Sequence, residues 1–290
     1  MNTILITGCS SGFGLETAGY FLDRGWKVIA TMRTPREDVL PRSEHLRVLA
    51  LDVTDADGIR RTIEAAGPID ALVNNAGFGS AAPAETTPMA TVRELFETNT
   101  LGTMAVTQAV LPQFRERKAG VVVNVTSTVT LRSLPLLSAY TASKAAVNAY
   151  TEVLALELEP FGVRVRLVLP GRAPETRFGE TARSRVQGLD HEAYADLVKS
   201  VFARFAEPGP ITHAQDVAEA VWRGDRSNEP HAHSRRRGRR DLGRGGLSQA
   251  SGGGRSDGPP PAPHGAPDER AWRTRRGRRP SLTPANTPIP

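Results

Sequence analysis

The chain has 290 residues and a formal net charge of +6, unevenly placed. Residues up to Trp222 carry 22 Lys and Arg against 25 Asp and Glu, a net −3, whereas those from Arg223 onward carry 15 against 6, a net +9. The single cysteine, Cys9, excludes an internal disulfide and a cysteine-built zinc cluster, and it fits a reducing compartment.

The N-terminus has no basic leader, and no segment reaches the roughly 18 apolar residues that a membrane span needs. A cytoplasmic protein without a membrane anchor is expected. Short apolar runs at 3–7, 27–32, 46–51, 71–73, 121–126 and 163–169 are mostly β-branched and do not alternate strictly. That is the pattern of parallel strands covered on both faces. Helix-length segments at 14–24, 55–66, 91–117 and 139–159 separate most of them, and two more follow near 193–205 and from 216. Strand and helix in alternation predict an α/β fold, a doubly wound parallel sheet of Rossmann type in a single domain over 1–222.

The first strand runs into Thr7-Gly8-Cys9-Ser10-Ser11-Gly12-Phe13-Gly14 and directly into a helix. Glycines there let the backbone turn tightly and approach a pyrophosphate, while the helix start offers unpaired N–H groups to it. Further on, Tyr140 and Lys144 stand four apart and so share one helix face. An ammonium beside a phenol is expected to lower the phenol's pKa and make it a usable acid and base. At the end of the second strand, Ala30-Thr31-Met32-Arg33 has no acid where an NAD ribose would be held. Arg33 there would attract a 2′-phosphate, which favours NADP(H) over NAD(H).

The glycine spacing, Thr-Gly-x-x-x-Gly-x-Gly, resembles that of the classical short-chain dehydrogenase/reductase family. Further matches follow in order: Asp52-Val53, Asn74-Asn75-Ala76-Gly77, Asn99 with Gly102, Ser127 placed 13 residues before Tyr140, and Pro170-Gly171. The resemblance runs from about Asn2 to Trp222. It implies an oxidoreductase that transfers a hydride between a nicotinamide cofactor and a carbonyl or secondary alcohol.

The resemblance also implies roles. Tyr140 is the general acid and base, Lys144 its electrostatic partner and a ligand of the nicotinamide ribose. Ser127 holds the substrate oxygen, and Asn99 holds a water behind Lys144. Gly8, Ser10, Ser11, Gly12, Phe13 and Gly14 border the pyrophosphate; Asp52 and the Val53 backbone border the adenine. Asn74, Ala76 and Gly77 follow the fourth strand, and Pro170 and Gly171 the sixth, all beside the cofactor. For Asn74 a purely structural role stays open, as it does for Asn99. The family's threonine stands five positions after the proline, whereas Thr176 stands six after, so its role is open. Leu131, Leu134, Leu136, Leu137 and Phe178 suggest an apolar pocket wall and hence an apolar carbonyl or alcohol substrate. A homo-oligomer is compatible with the resemblance. No metal site is expected.

After Arg223 the composition breaks into Arg-, Gly- and Pro-rich text. One reading is a disordered basic tail that binds nucleic acid only unspecifically. Another is translation out of frame: back-translated and moved one base downstream, 224–235 allows Ala-Thr-Asp-Pro-Thr-Asn-Arg-Met-Arg-Ile-Pro-Ala, which resembles the family's closing segment. On that reading the last strand is lost and stability falls. Two alternatives to an active enzyme therefore remain: a nucleotide-binding module without catalysis, or an inactive product altered at its C-terminus.

Overall fold

Six parallel strands form one sheet in the order β3-β2-β1-β4-β5-β6. A computed structural model describes residues 1–176, 178–183 and 188–226; the stretch read above as a basic or out-of-frame tail lies, from residue 227 on, outside the described residues. The strands are β1 (Thr3–Thr7), β2 (Lys27–Met32), β3 (Leu46–Ala50), β4 (Ala71–Asn74), β5 (Gly120–Val125) and β6 (Val163–Val168). They fall within one or two residues of the runs read from the sequence.

The lack of strict alternation has its reason in the packing. Ile4, Ile6, Val28, Ala30, Val121 and Val123 point to one face, where they meet α1 (Gly12–Leu22) and α8 (Ala214–Arg226). Leu5, Ile29, Leu72 and Val122 point to the other, where α2 (Ala56–Ala66), α4 (Gly102–Arg117) and α5 (Ser138–Leu158) lie. Both faces are apolar because both are covered. Trp222 of α8 packs edge-on against Phe21 of α1 with ring centroids 5.2 Å apart, and Trp26 joins them at 5.1 Å from Phe21. Such aromatic pairs favour edge-to-face contact because ring edge and ring face carry opposite partial charge.

The helix expected over 91–117 is interrupted. It comprises α3 (Met89–Phe96), a π-helical turn at Glu97–Leu101, and α4. A π turn carries one extra residue, which frees a backbone carbonyl and redirects a side chain, and such turns cluster at functional sites. Asn99 lies in it. Beyond β6 come α6 (Phe178–Arg183), α7 (Ala195–Ala206) and α8. Among the described residues β6 ends the sheet, and a groove of about 280 Å³ between β6 and α8 is lined by Leu167, Val168, Thr212, Val217 and Ala220. No helix among the described residues is long and apolar enough to cross a membrane.

Candidate active site

The C-terminal ends of β1, β4 and β5 meet the start of α5, and the motif residues gather there. Gly8 has φ +75, and a β-carbon on it would stand 2.9 Å from Ala76 Cα. On Gly14 a β-carbon would stand 2.4 Å from the Gly8 carbonyl oxygen and 2.5 Å from Asn75 Nδ2. These two glycines therefore serve close packing of the loop on the turn after β4 rather than open space. Gly12, at φ +58, faces Thr176, whose Cβ would lie 3.3 Å from an added β-carbon. So Thr176, despite its offset spacing, reaches the glycine loop.

Ser11 caps α1 only with its backbone; its hydroxyl accepts nothing from the first turn. The helix start thus keeps donors unpaired by its own cap, which suits an anion. Arg36 donates from Nη2 to the Ser10 carbonyl oxygen at 2.7 Å, bringing a second guanidinium to the rim of this loop. The sequence reading passed over Arg36, since no spacing rule singles out a residue three places beyond Arg33. Arg33 is exposed at the end of β2 and lies near Asp52. The Thr54 amide holds the Asp52 carboxyl below its usual range; the Thr54 hydroxyl and the Arg33 charge add to this, against partial burial. The Val53 side chain is buried and packs where Gly102 has no side chain.

The turn after β4 is clamped rather than loose. Thr7 Oγ1 accepts from the amides of Asn75 and Ala76 at 2.9 and 3.0 Å, and Asn75 Nδ2 donates to the carbonyls of Thr7 and Gly8. Asn74 points elsewhere. Its Nδ2 donates to Thr107 Oγ1 at 2.9 Å and to Asn124 Oδ1 at 2.8 Å, and Asn124 in turn donates to Thr151. Through Nδ2 the side chain braces β4, β5, α4 and α5, the structural role left open for it, while its buried Oδ1 has no hydrogen-bond partner.

Ser127 follows β5 and Tyr140 lies in the first turn of α5, and the Ser127 hydroxyl stands near enough to the phenol to lower its pKa. Tyr140 is buried with Phe78 and Leu95, and Val129 and Ala139 pack against them. Lys144, one turn on, is buried and donates from Nζ to the Val125 carbonyl at 3.0 Å. A β-carbon on Gly77 would lie 3.3 Å from that Nζ and 2.8 Å from Asn99 Oδ1, so Gly77 makes room for both. Asn99 accepts from the Phe78 amide at 3.0 Å and donates to the Phe78 carbonyl and to Ser143 Oγ. Its side chain thus ties the π-helical turn to Phe78 and to α5. Ser143 passes the chain on to the Tyr140 carbonyl at 2.8 Å.

The electrostatics differ from the expectation of a lowered phenol. Burial pushes Tyr140 up to about 12, opposed only in part by the Ser127 hydroxyl. Burial also pushes Lys144 down to about 8. Removal from water disfavours either charge, and this desolvation outweighs what the pair was expected to supply. Phenol and ammonium are thus both protonated at neutral pH, with the phenol poised as a donor.

Pro170 accepts at its carbonyl from the Thr128 amide at 2.9 Å, and the Gly171 amide donates to Thr212 Oγ1 at 2.9 Å. Both residues therefore border the turn that follows Ser127. Of the suggested pocket wall, Leu131 is exposed, Leu134 and Leu137 are half-buried, and Leu136 is buried with φ +67. Phe178 lies against Tyr140, with ring centroids 5.7 Å apart.

Residues 2–187 match the model of the short chain dehydrogenase family. The chain belongs to that family. It is accordingly an oxidoreductase of alcohol or carbonyl groups that works with a nicotinamide dinucleotide. A 3-ketodihydrosphingosine reductase of Bacteroides thetaiotaomicron is 37% identical over 199 residues, covering 67% of this chain and 71% of that protein. Among solved structures, the closed form of a serine dehydrogenase complexed with NADP+ superposes with a TM-score of 0.65 at 29% identity, covering 76% of this chain and 87% of that one. A 3-ketoacyl-(acyl-carrier-protein) reductase from Brucella melitensis complexed with NADH gives 0.64 at 28% identity, with 76% and 89% covered.

Proposed function

We propose that the chain reduces an apolar ketone, or oxidises the matching secondary alcohol, with NADP(H), and that Tyr140 is its proton donor and acceptor. The observation that carries this is the Ser127–Tyr140 hydroxyl pair, held in one apolar cleft beside the buried Lys144. Two hydroxyls so placed can share one substrate oxygen. Ser127 donates to that oxygen and orients it; Tyr140 delivers the proton as charge develops there. A phenol raised to about 12 is fully protonated at neutral pH, which suits the reductive direction. The Lys144 ammonium, one helical turn on, would stabilise the phenolate left behind.

The nicotinamide, when bound, carries the hydride. The residues present fit such a cofactor: the uncapped start of α1 suits a pyrophosphate, and a buried ammonium with a single protein hydrogen bond at Val125 suits ribose hydroxyls. Gly12, Phe13, Ser10 and Ser11 would hold the phosphates, Lys144 and Tyr140 the nicotinamide ribose, and Asp52 the adenine. Ala76, Gly77, Pro170 and Gly171 would border the nucleotide through their backbones. Arg33 and Arg36 favour a 2′-phosphate, because Arg36 reaches the glycine loop, Arg33 is exposed just after β2, and no acid ends that strand. The related structures hold NADP+ in one case and NADH in the other, so the fold serves either. The apolar surroundings of Tyr140, and a relative named as a 3-ketodihydrosphingosine reductase, favour an apolar substrate.

The test is nucleotide-dependent reduction of a ketone panel by the purified full chain, followed by absorbance. Tyr140→Phe is expected to lower kcat by about 10³-fold while NADPH binding, read by fluorescence titration, weakens by no more than about tenfold through the lost ribose contact. Wild-type turnover retained in Tyr140→Phe refutes the assignment. A preference for NADH over NADPH refutes the cofactor choice alone.

A further inference from the structure

Gly79 is buried in the loop after β4, and its φ lies outside the left-handed range, so its backbone does not require glycine. What it provides is space. A β-carbon there would stand 2.7 Å from Phe178 Cζ and 3.0 Å from Cε1, closer than carbon atoms approach. The tip of the Phe178 ring therefore sits in the notch that Gly79 leaves. The body of the same ring faces Tyr140, at 5.7 Å between centroids and 54° between planes, which is direct contact. The ring is nevertheless 40% exposed, so one part of it is held against Tyr140 and Gly79 while another part meets solvent. Farther along, the chain is tied back to the same loop: Thr86 Oγ1 donates to the Gly188 carbonyl, and Tyr194 donates to Glu85, both at 2.5 Å.

We infer that Phe178, seated on Gly79, is the side chain that sets how large a substituent the cleft accepts beside the carbonyl carbon reduced at Tyr140. The inference rests on the oxidoreductase reading given above. A ring in contact with the phenol leaves no path for a methylene chain between the two. The substrate class is then a ketone, or the corresponding secondary alcohol, with one small arm and one long apolar arm. Discrimination of this kind is worth roughly 10-fold or more per methylene at a packed wall.

The experiment uses the full chain with NADPH and the three straight-chain octanones whose shorter arm is methyl, ethyl or propyl. Their carbon count is constant, so total apolar size is held while each step moves one methylene from the long arm to the small one. For wild type, kcat/KM is expected to fall about 10-fold or more at each step. Phe178→Ala should flatten the series to within about threefold, and Gly79→Ala should alter the wild-type series but leave that of Phe178→Ala unchanged. A Phe178→Ala series that keeps the wild-type steepness overturns the inference, as does a Gly79→Ala effect that is equal with and without the ring. If no ketone is reduced with either nucleotide, the oxidoreductase reading fails by itself. The seat is then decided by melting: Gly79→Ala lowers Tm markedly in wild type and much less in Phe178→Ala if the ring fills the notch, and equally in both if it does not.

Discussion

The crossing of β4, β5 and α5 and the stretch after Pro170 both shape the cleft, but they are held in different ways. At the crossing, Asn74, Asn99, Asn124, Ser143 and Thr151 are all buried, and each is engaged by partners from other elements. After Pro170 the ties are single and largely exposed: Arg172 to the Glu207 carbonyl, His213 to Glu175, Tyr194 to Glu85. A buried polar network is strong when complete and costly when broken. Exposed single contacts contribute little. The chemistry is therefore built into the interior, while the part that meets the substrate rests on contacts that can change without loss of the fold.

Adding one methyl group at a glycine on each side gives the largest expected difference. Gly14→Ala drives a carbon to within 2.4 Å of the Gly8 carbonyl and into the Asn75 clamp, neither of which is the free end of a flexible side chain. We expect a loss of about 3 kcal/mol or more in urea unfolding, since overpacking against backbone forces the loop to move. Gly209, just beyond α7, has nothing within 4 Å of an added β-carbon. Gly209→Ala is expected to stay within about 0.5 kcal/mol of wild type or to stabilise slightly through the unfolded chain. Equal losses at both positions would show that the outer stretch is as tightly packed as the inner one.

That difference also explains what was legible in the sequence. The six strands were readable because burial on both faces demands continuous apolar runs, and the motif residues were readable because close packing fixes their types at fixed spacings. Glycine in the Thr7–Gly14 loop was legible, but its reason was not: Gly8 and Gly14 answer to the Ala76–Asn75 turn, a contact across more than 60 residues that no local pattern encodes. For the same reason the bracing partners of Asn74, Thr107 and Asn124, were not legible, since they are 33 and 50 residues away. The pairing of Tyr140 with Lys144 was correct in helix geometry, but the sequence carried no measure of burial, so the direction of the phenol's shift was missed. Arg36 and the Gly79–Phe178 seat depend on where loops fold back, and loops carry the weakest periodic signal.

Lys144 offers a smaller effect with a definite sign. Its pKa falls from an ordinary 10.5 to about 8 on folding because it is buried. Between those two values the unfolded chain binds the extra proton, so stability rises with pH across the window, by on the order of 3 kcal/mol in total. Below pH 8 the ammonium is charged in both states, and the burial cost is present in full. Tyr140 acts oppositely at higher pH: raised from 10 to about 12, its contribution is complete below 10 and is lost above that. The checkable quantity is therefore the Tm gap between Lys144→Met and wild type. The Tm of wild type should rise relative to that of Lys144→Met as pH goes from 7 to 9.5, a range that lies below the tyrosine window. A constant gap would mean that Lys144 is reached by water and that the crossing is not the dry interior described here. Reduction at saturating substrate should also fall above about pH 8, as the ammonium that supports the phenolate is lost while the phenol itself stays protonated.

The smallest effect is expected at the rim, where Glu175 precedes Thr176, the residue against Gly12. The His213 ring nitrogen lies 3.0 Å from Glu175 Oε2, and this hydrogen bond, with the Glu175 and Asp216 charges, holds the imidazole pKa above its ordinary 6.5. A raised value means that the pair stabilises the fold while His213 is protonated and stops doing so as pH rises through the folded pKa. Both side chains are more than half exposed, so water and salt screen the pair. In an NMR titration, Glu175→Gln should move the His213 midpoint back toward the ordinary value. NADPH affinity in wild type should drift by less than about twofold between pH 6 and 8, and the variant should remove that drift. A tenfold change in affinity across the same range would show that a single exposed ion pair governs the position of Thr176, and the outer stretch would then be as firmly set as the buried crossing beneath it.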